Sequence, residues 1–359
     1  MTVLHLLSQT EVTGAETYVE SLVGELSRRG HRFLVASDTL TRTIQANYHP
    51  VHLHRRGWYD RYKNIREIAA IVQSENVALI HAHSRASSWV GSFVSKACGI
   101  PLVTTIHGMQ PIHLSRKWFP AFGRMAIAVC KNIQDQLLFE LGVNRKNVRI
   151  IPNGIDLSKY APRSTSGVSK PILLFVGRLS GPKLLALKRF MSNPLEELLS
   201  RSPDVEFRLI GRMEDGEGIR RIAQKLQGRF GKSCILFLGY QGDVASAISP
   251  ARAVIGSGRV VLEAMAMKKP VVSLGETDYL GVLTPEGFHR ACLSNFGDCS
   301  PREQLAFEGA GEELAKLLAD ATLCRELGEW GRRAVEAFDI RKVADAVEGI
   351  YKQCLSSRS

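Results

Sequence analysis

The sequence predicts an α/β protein made of two doubly wound, parallel-sheet domains facing across a cleft. Three observations carry this expectation. Short apolar runs alternate with helix-period segments from the first residues onward, a polar turn-rich stretch interrupts them at Pro162–Lys170, and the same alternation then restarts. At 359 residues the chain is too long for one ordinary domain and suits two.

Thr2–Leu7, Phe33–Ala36, Ala78–His81, Leu102–Ile106, Met125–Val129 and Val148–Ile151 read as buried strands. Between the first two, Ala15, Val19, Leu22, Val23 and Leu26 recur at helical spacing, the pattern of an amphipathic crossover. Strand, helix, strand at this rhythm favours parallel pairing with helices on both faces. Pro162–Lys170 has the composition of a linker. Beyond it Ile172–Val176, Phe207–Ile210, Ile235–Leu238, Ala253–Ile255 and Val271–Leu274 form a second strand series.

The expected organisation is therefore a Rossmann-like domain at 1–163 and another at 170–338, followed by a C-terminal helix within 339–359. That last helix, Ile340–Leu355, sets Val343, Ala346, Val347, Ile350, Tyr351 and Leu355 on one side. It is either a packed terminal helix or one that crosses back onto the first domain. In such sheets ligands sit beyond the carboxyl ends of the strands, where the strand order switches.

Composition narrows the function. The chain is 45% apolar and 23% charged, which is globular, and its longest apolar stretches, such as Pro171–Val176 and Val260–Met267, are far shorter than a membrane span. Met1–Leu7 carries no basic flank or cleavage site and reads as a strand, not a signal peptide. The seven cysteines (Cys98, Cys130, Cys234, Cys292, Cys299, Cys324 and Cys354) are scattered without a C-x-x-C pair, which suits reduced thiols in a cytoplasmic protein and neither a disulfide framework nor a zinc site. Lys and Arg number 47 against 35 Asp and Glu, a formal charge of +12. This surplus points to an anionic partner: nucleic acid, membrane surface or phosphorylated ligand.

Phe175-Val-Gly-Arg-Leu-Ser-Gly-Pro-Lys183 ends a strand and places Arg178 and Lys183 in one loop. Two cations there suit a diphosphate clamp, or are two solvated surface charges. In Ile255-Gly-Ser-Gly-Arg-Val-Val-Leu-Glu263, Gly256 and Gly258 lie between a strand and a helix, where backbone N–H groups can receive phosphate oxygens. Glu263 sits on an otherwise apolar helix, either accepting from ribose hydroxyls or pairing with Arg259 one turn earlier. Gly14, after the first strand, would let a substrate approach the backbone. His107, before Gly108 at a strand end, is placed for a sugar hydroxyl or is structural. His81 and His83, two apart on a strand, are expected to face opposite ways and make a poor metal pair. No G-x-G-x-x-G dinucleotide fingerprint is present, which disfavours nicotinamide chemistry.

In order and spacing, Gly14-Ala15-Glu16, Arg29-Gly30-His31, Ile80-His81-Ala82-His83, Ile106-His107-Gly108, Ile151-Pro-Asn-Gly-Ile-Asp156, Gly177-Arg178-Leu179 with Lys183, Leu238-Gly239-Tyr240, and Leu262-Glu263-Ala-Met-Ala266 with Pro270-Val271-Val272 resemble the family 4 glycosyltransferases of GT-B fold. The resemblance runs through nearly the whole chain. It implies a hexosyltransferase-like enzyme taking a UDP- or GDP-type nucleotide sugar, with Arg178 and Lys183 on the diphosphate, Glu263 on the ribose, Gly14 close to diphosphate and sugar, and His107 on the donor sugar. It also implies transfer without metal or other cofactor and, usually, with retention of configuration, the departing nucleotide being stabilised by cations and helix N–H groups. The family's first glutamate, eight residues before Glu263, is replaced by Ile255 in a loop shortened to Gly256-Ser257-Gly258. The short form is loosely similar to GT-B enzymes that transfer N-acetylglucosamine to a lipid carrier with inversion. Retention and inversion therefore both stand, as do two other classes: a sugar-nucleotide epimerase or hydrolase, and a non-catalytic donor-binding subunit.

The charge is unevenly spread. Residues 1–163 hold 20 basic and 11 acidic side chains, so +9 of the +12 lies in the first domain. It concentrates in His52–Arg66, with Arg55, Arg56, Trp58, Tyr59, Arg61, Tyr62, Lys63 and Arg66, and in Arg116–Arg124, with Trp118 and Phe119. Basic residues mixed with aromatics suit an anionic membrane surface or single-stranded nucleic acid, or form a solvated face. No RNA-binding motif accompanies them. The expectation is a glycosyltransferase of lipopolysaccharide or cell-envelope polysaccharide assembly, with a glycan or lipid-linked acceptor, peripheral on the inner face of the cytoplasmic membrane and without a nucleic-acid partner.

Overall fold

In the first strand Leu4 and Leu6 point to one layer and Val3 and Leu7 to the other, so the sheet they start must be covered on both sides. A computed structural model shows how, describing residues 1–9, 14–163, 170–213 and 216–356. Most of the expected linker, residues 164–169, and Thr13 of the first loop lie outside the described residues. The chain divides into two units, Met1–Gly154 with Phe338 onward, and Ile155–Ala337. Residues 155–163, read from sequence as the end of the first domain, are placed with the second unit.

The first unit contains β1 (Thr2–Leu7), β2 (Arg32–Ser37), β3 (Asn47–Pro50), β4 (Leu79–Ala82), β5 (Leu102–Ile106), β6 (Met125–Ala128) and β7 (Val148–Ile150), arranged β3-β2-β1-β4-β5-β6-β7 with parallel pairing throughout. Tyr18, Val19, Leu22, Val23 and Leu26 of the helix Gly14–Ser27 pack on one face, together with Val343, Ala344, Val347, Ile350, Tyr351 and Cys354 of the helix Ile340–Ser356. The buried stripe of that last helix is rotated from the sequence reading: Ala344 and Cys354 are inside, whereas Ala346 is exposed and Leu355 half-buried. Arg29 fastens it by reaching Asp345 at 2.6 Å, Glu348 at 3.1 Å and the Arg341 carbonyl at 3.1 Å. The helices Trp58–Ser74 and Arg85–Cys98 cover the opposite face through Ile68, Val72, Val90 and Val94.

The second unit contains β8 (Ile172–Val176), β9 (Glu206–Ile210), β10 (Ile235–Gly239), β11 (Ala253–Gly256), β12 (Val271–Leu274) and β13 (Tyr279–Val282), arranged β10-β9-β8-β11-β12-β13. All pairs are parallel except β12 with β13. Leu173, Phe175, Leu187, Phe190, Phe207 and Ile255 lie at the heart of its core. In each sheet the strand order reverses once, between β1 and β4 and between β8 and β11. Ligand sites belong beyond the carboxyl ends of those pairs.

Candidate functional site

In the second unit β8 delivers Gly177, Arg178 and then the helix Gly181–Ser192, where Pro182 pre-sets the first turn and Lys183 follows. Across the switch, β11 delivers Ser257 and Gly258. The Lys183 ammonium, only 13% exposed, donates to Ser257 Oγ at 2.7 Å and lies 3.2 Å from Asp298 Oδ1. Asp298 Oδ1 also accepts from the Glu276 backbone N–H at 3.2 Å, and the Glu276 carboxylate holds Arg178 at 3.0 Å. Arg178 is exposed. The two expected cations thus each face a carboxylate, and both carboxylates come from the segment after β12.

Asp298 is seated by an unusual turn. Asn295, Phe296 and Gly297 have φ of 51°, 59° and 87°, a left-handed run that bulky side chains avoid. Strain of this kind, about 1–3 kcal/mol per non-glycine residue, persists only where the surroundings over-determine it. Here Ser273 Oγ donates to the Phe296 carbonyl, Ser294 Oγ accepts from the Gly297 N–H, and the Thr277 and Asp278 N–H groups both donate to the Gly297 carbonyl. The sequence reading missed Ser257, Glu276 and Asp298. Asp298 lies 115 residues from Lys183, and only the Asn-Phe-Gly-Asp string gives a local hint, through its turn-forming residues.

The glycines act differently from expectation. Gly258 has φ 56° and ψ −128°, open to glycine but not to side chains, and its N–H donates to the Asn295 carbonyl at 3.3 Å. That donor is therefore committed within the fold, not waiting for phosphate. Gly256 is the last residue of β11 and is buried, and a Cβ on it would come 2.5 Å from the Val260 side chain, so it serves close packing of helix on strand. Glu263 is buried; it accepts from the Tyr160 hydroxyl at 3.0 Å and lies 3.7 Å from the Arg259 guanidinium. Ile255 is fully buried inside β11, so its position offers no site for a carboxylate side chain.

In the first unit the switch between β1 and β4 gathers imidazoles. β4 ends at Ala82, so His83 leaves the strand geometry and its ring centroid comes within 4.2 Å of that of His81. The expectation that these two face opposite ways fails for that reason. His83 Nε2 is 2.8 Å from His5 Nδ1, and His83 Nδ1 is 3.3 Å from His107 Nε2. His107 thus stands at the end of a hydrogen-bonded chain running back to β1. His81 hydrogen-bonds Tyr351 on the terminal helix at 2.6 Å and Thr105 at 2.7 Å. Nitrogens of His5, His81 and His83 lie within 4.8 Å of one another. Both nitrogens of His81 and of His83 are nevertheless already hydrogen-bonded, so a metal would have to displace these bonds. Burial, foremost, lowers all three: His5 to about 3, and His81 and His83 well below the usual imidazole range, with neighbouring imidazoles adding to the effect. The imidazoles of His5, His81 and His83 are neutral at pH 7. Gly14 opens the first helix, and no atom of the described residues, its chain neighbours and own helix backbone aside, lies within 4 Å of where a Cβ would stand; Glu16 beside it is buried, accepting from the backbone N–H groups of Thr41 and Arg42 at 2.6 and 2.9 Å.

Known proteins place this architecture. The sequence model of Glycosyltransferase Family 4 matches residues 12–159, and that of Glycosyl transferases group 1 matches residues 170–287, together about three quarters of the chain. A UDP-Gal:alpha-D-GlcNAc-diphosphoundecaprenol alpha-1,3-galactosyltransferase from Escherichia coli is 24% identical over 270 residues, 66% of this chain and 67% of that one. Among solved structures, a glycosyltransferase from Rickettsia africae superposes with a TM-score of 0.79 at 19% identity, covering 99% of this chain and 98% of its own. Anabaena HepE, in complex with UDP and glucose, superposes with a TM-score of 0.75 at 17% identity, covering 98% and 100%. Two doubly wound units of GT-B fold, matched in sequence over both halves, make this chain a glycosyltransferase of family 4.

Proposed function

We propose that the enzyme transfers a sugar from a UDP-sugar to a lipid-linked or polysaccharide acceptor of the cell envelope, without a metal ion and with retention of configuration. The observation that carries the donor half is Lys183, held by Ser257 and Asp298 beyond the β8–β11 switch. An ammonium drawn out of bulk water acts on a diphosphate more strongly than a solvated one, and its position is set before the ligand arrives. As the glycosidic bond breaks, negative charge grows on the nucleotide diphosphate, and Lys183 with the exposed Arg178 stabilises it. Glu263 receives the ribose hydroxyls, Gly14 leaves room for the sugar diphosphate, and His107 donates to or accepts from a sugar hydroxyl. The acceptor half draws on the E. coli relative, whose name specifies a diphosphoundecaprenol-linked acceptor.

The reading includes peripheral attachment to the inner face of the cytoplasmic membrane. Among the described residues no helix is long and apolar enough to cross a membrane. Trp58, Tyr59 and Trp118 are 80%, 78% and 87% exposed beside the basic stretches, a placement suited to headgroups.

Incubation with labelled UDP- and GDP-sugars, with and without a membrane extract, tests the proposal. Acceptor-dependent release of UDP supports it. Conversion without acceptor would instead make the protein an epimerase or hydrolase, and binding without turnover a donor-binding subunit. The anomeric configuration of the product, read by NMR, decides retention.

A further inference from the structure

The first unit holds a cavity of about 420 Å³, apart from the imidazole chain. Its walls carry Arg55, Arg56, Arg61, Arg85 and Arg116. Among the described residues none of the five has a carboxylate within ion-pair distance, although ion pairs are frequent elsewhere on the surface. Arg116 is buried, and its guanidinium donates to the Pro111 carbonyl at 2.9 Å. Arg85 donates to the carbonyls of Phe119, at 2.6 Å, and Pro120. These neutral partners fix the two guanidinium groups in place and leave their charge uncompensated. Burial, with Arg116 and Arg61 nearby, pushes Arg85 down to about 10, while burial and Arg56 lower Arg116.

Five like charges in one cavity repel one another, and among the described residues no carboxylate pairs with them. Guanidinium forks match the oxygens of a phosphate ester geometrically, two donors to two oxygens, and Arg is better than Lys at such planar recognition. A single carboxylate would neutralise one of the five. A diphosphate ester, carrying two or more charges on adjacent phosphoryl groups, answers the cluster better.

The rest of the site is apolar. Trp58, Trp89 and Phe119 line the same cavity, with Arg61 stacked 4.4 Å from the Trp89 ring centroid and Trp89 and Phe119 centroids 6.3 Å apart. The short helix that carries Arg116 also exposes Leu114 and Trp118, at 77% and 87%. Exposed side chains of this size beside a polar pocket mark a surface that meets something apolar.

We propose that this arginine pocket binds the diphosphate of a prenyl-linked acceptor, with the aromatic rim against the first part of its hydrocarbon chain. This rests on the reading that the acceptor is lipid-linked, and it locates the acceptor's anionic head in the first unit. The donor's diphosphate belongs to Lys183 and Arg178, so the two diphosphates have separate cationic sites.

Farnesyl diphosphate is a soluble probe carrying both parts. Its titration into the full-length protein is followed by tryptophan fluorescence, since Trp58 and Trp89 line the pocket, and by calorimetry, with inorganic pyrophosphate, phosphatidylglycerol vesicles and UDP in parallel. The expected result is saturable binding of farnesyl diphosphate at least tenfold tighter than pyrophosphate. Arg55→Glu with Arg56→Glu, both exposed, should weaken it at least thirtyfold and leave UDP affinity and thermal midpoint unchanged. Arg116→Gln provides a second variant inside the cavity. Equal affinity of wild type and the double variant for farnesyl diphosphate overturns the proposal, and so does binding to anionic vesicles with none to the probe. If no sugar nucleotide supports transfer but arginine-dependent probe binding persists, the function reading fails and the pocket stands. If transfer is undiminished in the double variant and the probe does not bind, the pocket fails and the function reading stands.

Discussion

Acidification from pH 7 to pH 5 should strip the first unit of much of its stability, because His5, His81 and His83 are buried and neutral. In the unfolded chain each imidazole binds a proton below about pH 6.5. In the native protein His5 resists protonation down to about 3, and His81 and His83 likewise lie well below the usual range. The unfolded state therefore binds more protons, so stability is fully present above pH 6.5 and falls as the pH falls through the window below it. At 1.36 kcal/mol per pH unit for a fully titrating group, His5 loses about 2 kcal/mol between pH 7 and pH 5, and His81 and His83 add to the loss in the same direction. Against the roughly 5–15 kcal/mol that holds a typical domain, this is a large share. The assay is urea unfolding at pH 7, 6 and 5, followed by circular dichroism and by the fluorescence of Trp58, Trp89 and Trp118 in this unit. His5→Leu should remove about 2 kcal/mol of the pH dependence between pH 7 and pH 5, whatever it does to absolute stability. A urea midpoint unchanged between pH 7 and pH 5 would show that the native imidazoles take up protons, and the neutral state of His5, His81 and His83 would have to be abandoned.

Lys183→Ala should lower UDP affinity about 10- to 100-fold by calorimetry, the worth of a charge-assisted contact, while Lys188→Ala on the same helix should not. Gly275→Ala would place a Cβ 2.1 Å from the Gly297 carbonyl carbon, against the turn that seats Asp298; a loss of about 2–4 kcal/mol, a drop of roughly 5–15 °C in thermal midpoint, is expected along with weaker UDP binding, and an unchanged midpoint would show that the turn yields freely. Glu16→Ala leaves the Thr41 and Arg42 N–H groups without their carboxylate and should cost about 2–4 kcal/mol in urea unfolding; a loss below 0.5 kcal/mol, on the order of a surface substitution, would show that water replaces the carboxylate.

Residue type and spacing alone determined most of the strands. β1, β5, β8 and β12 have the boundaries that their largely apolar runs announce, because a strand buried on both faces is mostly apolar along its length. The same logic passes over β3 and β13. Asn47-Tyr-His-Pro50 and Tyr279-Leu-Gly-Val282 lie at sheet edges, half exposed, where no continuous apolar run is required. The ordered motifs also marked Arg178 and Lys183 as charges just beyond a strand's end and Glu263 as a charge on an apolar helix, and the strand order puts β8 and β11, which precede them, at the second unit's switch. Only the tertiary structure supplied their partners. Ser257, Glu276 and Asp298 come from segments whose meeting depends on strand order, and a carboxylate is not distinguishable in sequence from dozens of solvated ones. Likewise four of the cavity's arginines, Arg55, Arg56, Arg61 and Arg116, stood out in sequence within basic stretches, and Arg85 did not; a charge becomes a site only when packing fixes it. His81 and His83 teach the same lesson at the smallest scale: two residues apart, their facing was decided by where β4 stops, which depends on the neighbouring strands as well as on its own residues.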